Sequence, residues 1–154
     1  MIEQGALQTV YILFAFAVQI ILIADFAARV WKSALELRWG WLIYTLVGVA
    51  GLLLGVLLVV SRQPAYLAAG PLLLAIWAAV GYTVDVWRPV NWRSPPRWRI
   101  FIPYVGLYVT ALLVMWVSMW FIGLAYWIAF GAMYAVHTGL NIYSHFKTRE
   151  TGTV

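Results

Sequence analysis

Long apolar runs alternate with short polar interruptions along this chain. The runs last about as long as the roughly 20 apolar residues that cross a bilayer as a helix. The final run, 100–146, would overshoot a bilayer as one helix, so we divide it near Ile122-Gly123, where glycine favours a break. The pattern predicts a single-domain, all-α integral membrane bundle (1–154) with five transmembrane helices. We expect these helices at about 7–31, 40–60, 65–87, 100–121 and 124–146.

Composition supports a lipid environment. Hydrophobic residues make up 65% of the chain and charged residues 10%, whereas soluble domains carry about 25% charged residues. The chain has no cysteine, which excludes disulfides and thiolate metal sites.

Basic residues indicate the orientation. The longest polar interruption ends in a basic Trp/Pro loop at 88–99, and a second loop is expected at 32–39. Under five spans, every basic residue except Arg62 falls on the side of these loops. The positive-inside rule then places the N-terminus outside and the C-terminus in the cytoplasm. We expect a multi-pass protein of a bacterial cell inner membrane. Its net charge of +5 would serve orientation and contact with lipid headgroups, and we expect no nucleic-acid partner.

Ten tryptophans are distributed mostly near the predicted interfaces. This is typical of aromatic belts. The cytoplasmic belt would contain Trp31, Trp39, Trp41, Trp87, Trp92 and Trp98, and the outer belt Trp120 and Trp127. Trp77 and Trp116 lie deeper, where they would either line a cavity or pack in the core.

Polar residues on helix five carry the strongest indication of a site. At about 100° per residue they share one face, whereas Ile128, Ala132, Ala135 and Ile142 make the opposite face apolar. The polar stripe consists of Tyr134, His137, Thr138, Asn141 and His145. His137 is the deepest of its ionisable members, and its alternative role is an interhelical hydrogen bond. His145 is close to the interface, where it could simply be solvated.

Two aspartates end helices that run parallel to helix five. Asp25 and Asp85 would reach a depth similar to Asn141, so these polar groups could converge in a cytoplasm-facing vestibule. Intramembrane ionisable groups are costly and often functional. The alternative is local pairing with Arg29 and Arg88.

Cofactor chemistry is only partly constrained. The two histidines lie on one helix and cannot both be axial ligands of one haem within a monomer. Three possibilities stay open. They are a haem with one histidine ligand or bridged across a dimer, a quinone, and a metal at His137 or His145. The few carboxylates argue against a di-iron site.

Small residues on helix two suggest close helix packing. Gly48, Gly51 and Gly55 include a small-xxx-small pattern that lets two backbones approach. Packing within the chain and a homodimer interface both fit this pattern.

One segment resembles a known family. Trp92-Arg-Ser-Pro-Pro-Arg-Trp98, followed by Pro103 and Leu107-Tyr108, is similar to the Trp-x-Pro-Pro-x-Trp segment of the tryptophan-rich sensory protein (translocator protein) family. That resemblance implies a five-helix membrane fold and a porphyrin or sterol-like ligand.

These patterns predict a small membrane protein that binds, and could transport, an apolar or amphipathic molecule such as a lipid, quinone or porphyrin. The expected ligand-binding residues are Tyr134, His137, Thr138, Asn141, Asp25, Asp85, Trp77 and Trp116. Two alternatives stay open. One is an intramembrane enzyme or redox subunit that uses His137 and Asp85. The other is an accessory subunit of a larger membrane complex.

Overall fold

The described part of the chain is helical throughout, apart from short connections. A computed structural model describes residues 4–31, 33–90 and 97–150. For residues 4, 29, 33–39 and 144–150 it describes the backbone alone. The elements are α1 (Gln4–Trp31), α2 (Ser33–Val60), α3 (Ala65–Tyr82), a π-helix (Thr83–Trp87), α4 (Trp98–Ile122) and α5 (Leu124–Glu150). The all-α class is therefore confirmed for these residues.

Four helical segments of the described chain are long and apolar enough to cross a membrane, which indicates a membrane protein. They are Gly5–Ala28, Gly40–Val60, Ala65–Trp87 and Trp98–Ile122. The fifth helix, α5, has 27 residues and at about 1.5 Å per residue is as long as a span. Its polar stripe makes it less apolar than the other four.

The helices form a closed ring in chain order. Each helix packs against the next, and α5 returns to pack against α1. Neighbours in sequence are antiparallel: Gly48 lies opposite Ala78, and Gly55 lies opposite Leu72. The closing pair, α1 and α5, is parallel, since Phe16 contacts Phe130 and Gln19 contacts His137 further along both helices.

One face of α1 is buried along its whole length. Its buried apolar residues recur every three or four positions, which is the spacing that keeps one side of a helix against its neighbours. They are Leu7, Tyr11, Ala15, Val18, Leu22, Phe26 and Val30. Gln19, on the same side, is also fully buried. It introduces an amide into an otherwise apolar interface.

The outward face of α2 is apolar. On α2 the outward side chains are exposed aliphatic residues that would be unfavourable in water and suit lipid contact. They include Leu46, Val49, Leu52, Leu53, Val56 and Val59.

Glycines of α2 allow its close approach to α3. A Cβ on Gly51 would lie 2.8 Å from the carbonyl oxygen of Pro71, and one on Gly48 would lie 3.0 Å from Cβ of Ala78. Gly55 similarly faces Leu72. These glycines pack within the chain. A homodimer stays a prediction, and it would need a surface beyond this packed face.

The structure differs most from the expected boundaries in two places. Residues 33–39, expected as a loop, form the start of α2, because Ala, Leu, Glu and Arg are strong helix formers. The end of helix three, expected as α-helix, widens into the π-helix, where the amide of Arg88 bonds the carbonyl of Thr83. Trp92, Arg93 and the Ser-Pro-Pro part of the family-like segment lie outside the described residues.

Substitution of Gly51 by alanine tests the α2–α3 contact. The new Cβ meets backbone at Pro71, so we expect Gly51→Ala to be destabilised by about 1–3 kcal/mol relative to Gly106→Ala. Gly106 is the matched control, since a Cβ there meets nothing within 4 Å. Thermal unfolding in one detergent would compare the variants. Equal melting temperatures would contradict this packing.

Candidate functional site

A short hydrogen bond joins the two parallel helices inside the bundle. Nδ1 of His137 lies 2.6 Å from Oε1 of Gln19, and both side chains are completely buried. With the amide oxygen as acceptor, Nδ1 carries the hydrogen and donates it. Nε2 of His137 then points to the other side of the ring with a free lone pair.

Aromatic rings enclose His137. Phe26 stacks on the imidazole with centroids 6.1 Å apart, and Tyr134 meets its edge at 5.0 Å. Tyr108 of α4 makes a second edge contact at 5.9 Å. The imidazole is therefore held in a fixed orientation by residues from α1, α4 and α5.

Asp85 lies in a second polar centre. The hydroxyl of Tyr44 donates to Oδ2 of Asp85 at 2.7 Å and lies 2.8 Å from the hydroxyl of Tyr104. Asp85 belongs to the π-helix, an element that is rare and frequently found at functional sites. This centre connects α2 and α4 to the end of α3.

Trp77 connects the two centres. Its ring packs against Tyr44 at 5.4 Å, Tyr104 at 5.7 Å and Tyr108 at 5.1 Å. Because Tyr108 also contacts His137, side-chain contacts run without interruption from Asp85 to Gln19. We call this set the polar core: Gln19, Tyr44, Trp77, Asp85, Tyr104, Tyr108 and His137.

Three nitrogens of the polar core are buried without a hydrogen-bond partner in the described chain. They are Nε2 of His137, Nε2 of Gln19 and Nε1 of Trp77. In native structures such groups are few and each has a specific reason. The core thus has one acceptor and two donors that no described residue pairs.

The sequence-predicted site residues fall into several environments. Trp77, Asp85, Tyr134 and His137 take part in or contact the polar core. Trp116 instead stacks on Trp127 and Tyr134, and its Nε1 donates to the carbonyl of Trp127 at 2.9 Å. Thr138, Asn141 and Asp25 are half-buried on α5 and α1. The side chains of His145 and Arg29 lie outside the described residues.

Sequence analysis missed four members of the polar core. Gln19 is an amide within an apolar span, and the cost of polar groups in lipid could have identified it as a candidate site residue. Tyr104 and Tyr108 are spaced i, i+4 on α4 and therefore share a face. Tyr44 carried no signal, because tyrosines are also common at membrane interfaces.

Among the described residues, no group of three His, Cys, Asp or Glu side chains could hold a metal ion. Comparison of the chain with family models, curated proteins and solved structures gives no match. The function is therefore inferred from the polar core itself.

The tautomer of His137 tests the geometry of its centre. We expect Nδ1 to carry the hydrogen and Nε2 to be unprotonated. Nitrogen-15 NMR of protein labelled at histidine would distinguish the two ring nitrogens. In a His145→Gln variant, His137 is the sole remaining histidine. A hydrogen on Nε2 alone would contradict the hydrogen bond to Oε1 of Gln19.

The Tyr44 hydroxyl tests the second centre. Tyr44→Phe removes the donor to Asp85 and the partner of Tyr104, so we expect a loss of about 1–3 kcal/mol in unfolding free energy. Tyr126→Phe is the control, because Tyr126 is 43% exposed. Thermal unfolding of both variants provides the comparison. If Tyr44→Phe and Tyr126→Phe unfold at the same temperature, the hydrogen-bonded centre does not contribute to stability.

Proposed function

We propose that this protein binds an apolar or amphipathic small molecule within the membrane, with the polar core as the site of its polar group. A lipid, a quinone and a porphyrin are the ligand classes that suit aromatic surroundings with few polar groups. Movement of the ligand across the membrane would be a natural extension of this activity.

The three unpartnered buried nitrogens carry this proposal. Each unsatisfied polar group costs about 1–3 kcal/mol, and total stabilities are only about 5–15 kcal/mol. Three such groups in one core therefore represent a large loss unless something completes their hydrogen bonds. A ligand that donates to Nε2 of His137 and accepts from Nε1 of Trp77 or from Nε2 of Gln19 would do so.

Asp85 marks the end of the core from which the ligand would enter. Asp85, like Asp25, is half-buried, whereas His137 is completely buried, so the core runs from a partly accessible acid to an inaccessible imidazole. The polar half of α5, with Thr138 and Asn141, extends to the same end. With five spans and the N-terminus outside, this end would face the cytoplasm.

An intramembrane redox or proton-transfer role is the second candidate. The chain of ring contacts through Tyr44, Trp77, Tyr108 and His137, at centroid separations of 5.1–5.9 Å, favours it. Closely spaced rings suit electron transfer, whereas proton exchange needs hydrogen bonds, which the core has at Tyr44–Asp85 and at Gln19–His137. A haem or quinone bound at His137 would be the redox partner.

Absorption spectroscopy with lipid extraction tests the ligand proposal. Protein purified in mild detergent should carry a stoichiometric small molecule. We expect its amount to fall at least tenfold in a folded His137→Phe variant, because phenylalanine keeps the ring contacts and removes both ring nitrogens. A Soret band would identify a porphyrin and favour the redox role. Trp120→Phe, at an exposed position, is the control. An empty wild-type protein with only bulk lipid would contradict the proposal.

Paired cysteine variants test the orientation. The chain has no cysteine, so single substitutions give unambiguous labelling. Pro64 and Pro89 are both exposed and lie at opposite ends of α3 and the following π-helix. In intact cells, an impermeant maleimide should label Pro64→Cys but label Pro89→Cys only after permeabilisation. The reverse result would place the polar core's Asp85 end outside.

A further inference from the structure

An open groove lies at the start of α4, apart from the polar core. It has a volume of about 540 Å³ and is lined by Arg97, Trp98, Arg99 and Ile100. Both arginines are exposed, and no ion pair joins either of them to a carboxylate in the described chain. The groove therefore presents two positive charges with no anionic partner among the described residues.

An exposed tryptophan lines the same groove, and an exposed isoleucine follows it on α4. Trp98 is 61% exposed and Ile102 is 64% exposed, and Trp98 packs edge-on against Phe101 at 5.4 Å. Tryptophan favours the level of lipid headgroups, whereas isoleucine favours the hydrocarbon below it. The groove thus combines cationic groups with an apolar border, which matches a phospholipid and does not match a soluble anion.

We propose that Arg97 and Arg99 bind the phosphate of an anionic phospholipid whose acyl chains lie beside Trp98 and Ile102. Arginine recognises phosphate through planar, paired N–H donors. Zwitterionic lipids present a phosphate together with an ammonium group, so the site should favour lipids with net negative charge. The site is independent of the polar core.

Arg88 provides a comparison at the same end of the bundle. It is also exposed, but its guanidinium lies 5.3 Å from the ring centroid of Trp87 and it does not line the groove. Attraction by general surface charge would involve Arg88 as much as Arg97 or Arg99. A defined site would not.

Lipid binding to purified protein tests the proposal. The probes are dioleoyl phosphatidylglycerol and dioleoyl phosphatidylcholine, titrated separately into protein in mild detergent and followed by native mass spectrometry. We expect wild-type protein to bind the phosphatidylglycerol more tightly. Since each arginine near a membrane surface contributes about a fivefold increase in affinity, Arg97→Gln/Arg99→Gln should weaken phosphatidylglycerol binding about 30-fold. Arg88→Gln should change it less than twofold.

Three results would overturn the proposal. Equal binding of the two lipids by wild-type protein would exclude recognition of the anionic headgroup. A loss of fivefold or more in Arg88→Gln, which is the loss expected for each arginine, would indicate diffuse surface charge. Displacement of phosphatidylglycerol by an equal concentration of inorganic phosphate would indicate a phosphate-ion site. The lipid preference of the wild type needs no variant, so it tests the site even if the double variant fails to fold.

Discussion

Inside a bilayer no bulk water completes the hydrogen bonds of polar side chains, so each such group has to find its partner in the protein or in a ligand. The hydrogen bond between His137 and Gln19 is where this constraint acts most strongly. Both side chains are fully buried, and they sit on the two helices that close the ring. Their pairing fixes the relative depth of α1 and α5 and the orientation of the imidazole.

Helix α5, which closes the ring, depends on this hydrogen bond for its place in the bundle because α5 is the most polar of the five helices. Four helical segments of the described chain are apolar enough to cross a membrane by themselves. Their association relies on close packing, as at Gly51 against Pro71. Helix α5 instead turns a polar stripe inward and leaves Ile128 and Ile142 exposed. A helix of this kind is favourable in lipid when its polar side has partners, and Gln19 is one of them.

The polar core extends across the bundle the same requirement that buried polar groups have partners. Aromatic residues separate the His137 centre from the Asp85 centre, and Trp77 contacts residues of both. Hydrogen bonds satisfy part of the core, at Gln19–His137 and at Tyr44–Asp85, and leave three nitrogens unpaired within the described chain. Small-molecule sites in proteins are mostly apolar and aromatic with a few placed polar groups, and the polar core has this composition.

Sequence reasoning reached the helical class and the membrane character, and it singled out His137, which is fully buried. The 3.6-residue period and the cost of polar groups in lipid are sufficient for those conclusions. It did not reach the π-helix, since a change from i→i+4 to i→i+5 bonding depends on tertiary contacts. Nor did it pair His137 with Gln19 or Asp85 with Tyr44. These contacts depend on which helices become neighbours in the ring, and periodicity within one helix carries no such information.

A double-mutant cycle between Gln19 and His137 tests the central claim most directly. Gln19→Met and His137→Phe keep the side-chain volume and the ring contacts while removing the hydrogen bond. Unfolding free energies of the wild type, both single variants and the double variant would be measured in lipid bicelles. We predict a favourable coupling of about 1–2 kcal/mol, in the upper range of interhelical hydrogen bonds in membranes. A coupling near zero would contradict the claim that this hydrogen bond joins α5 to the bundle.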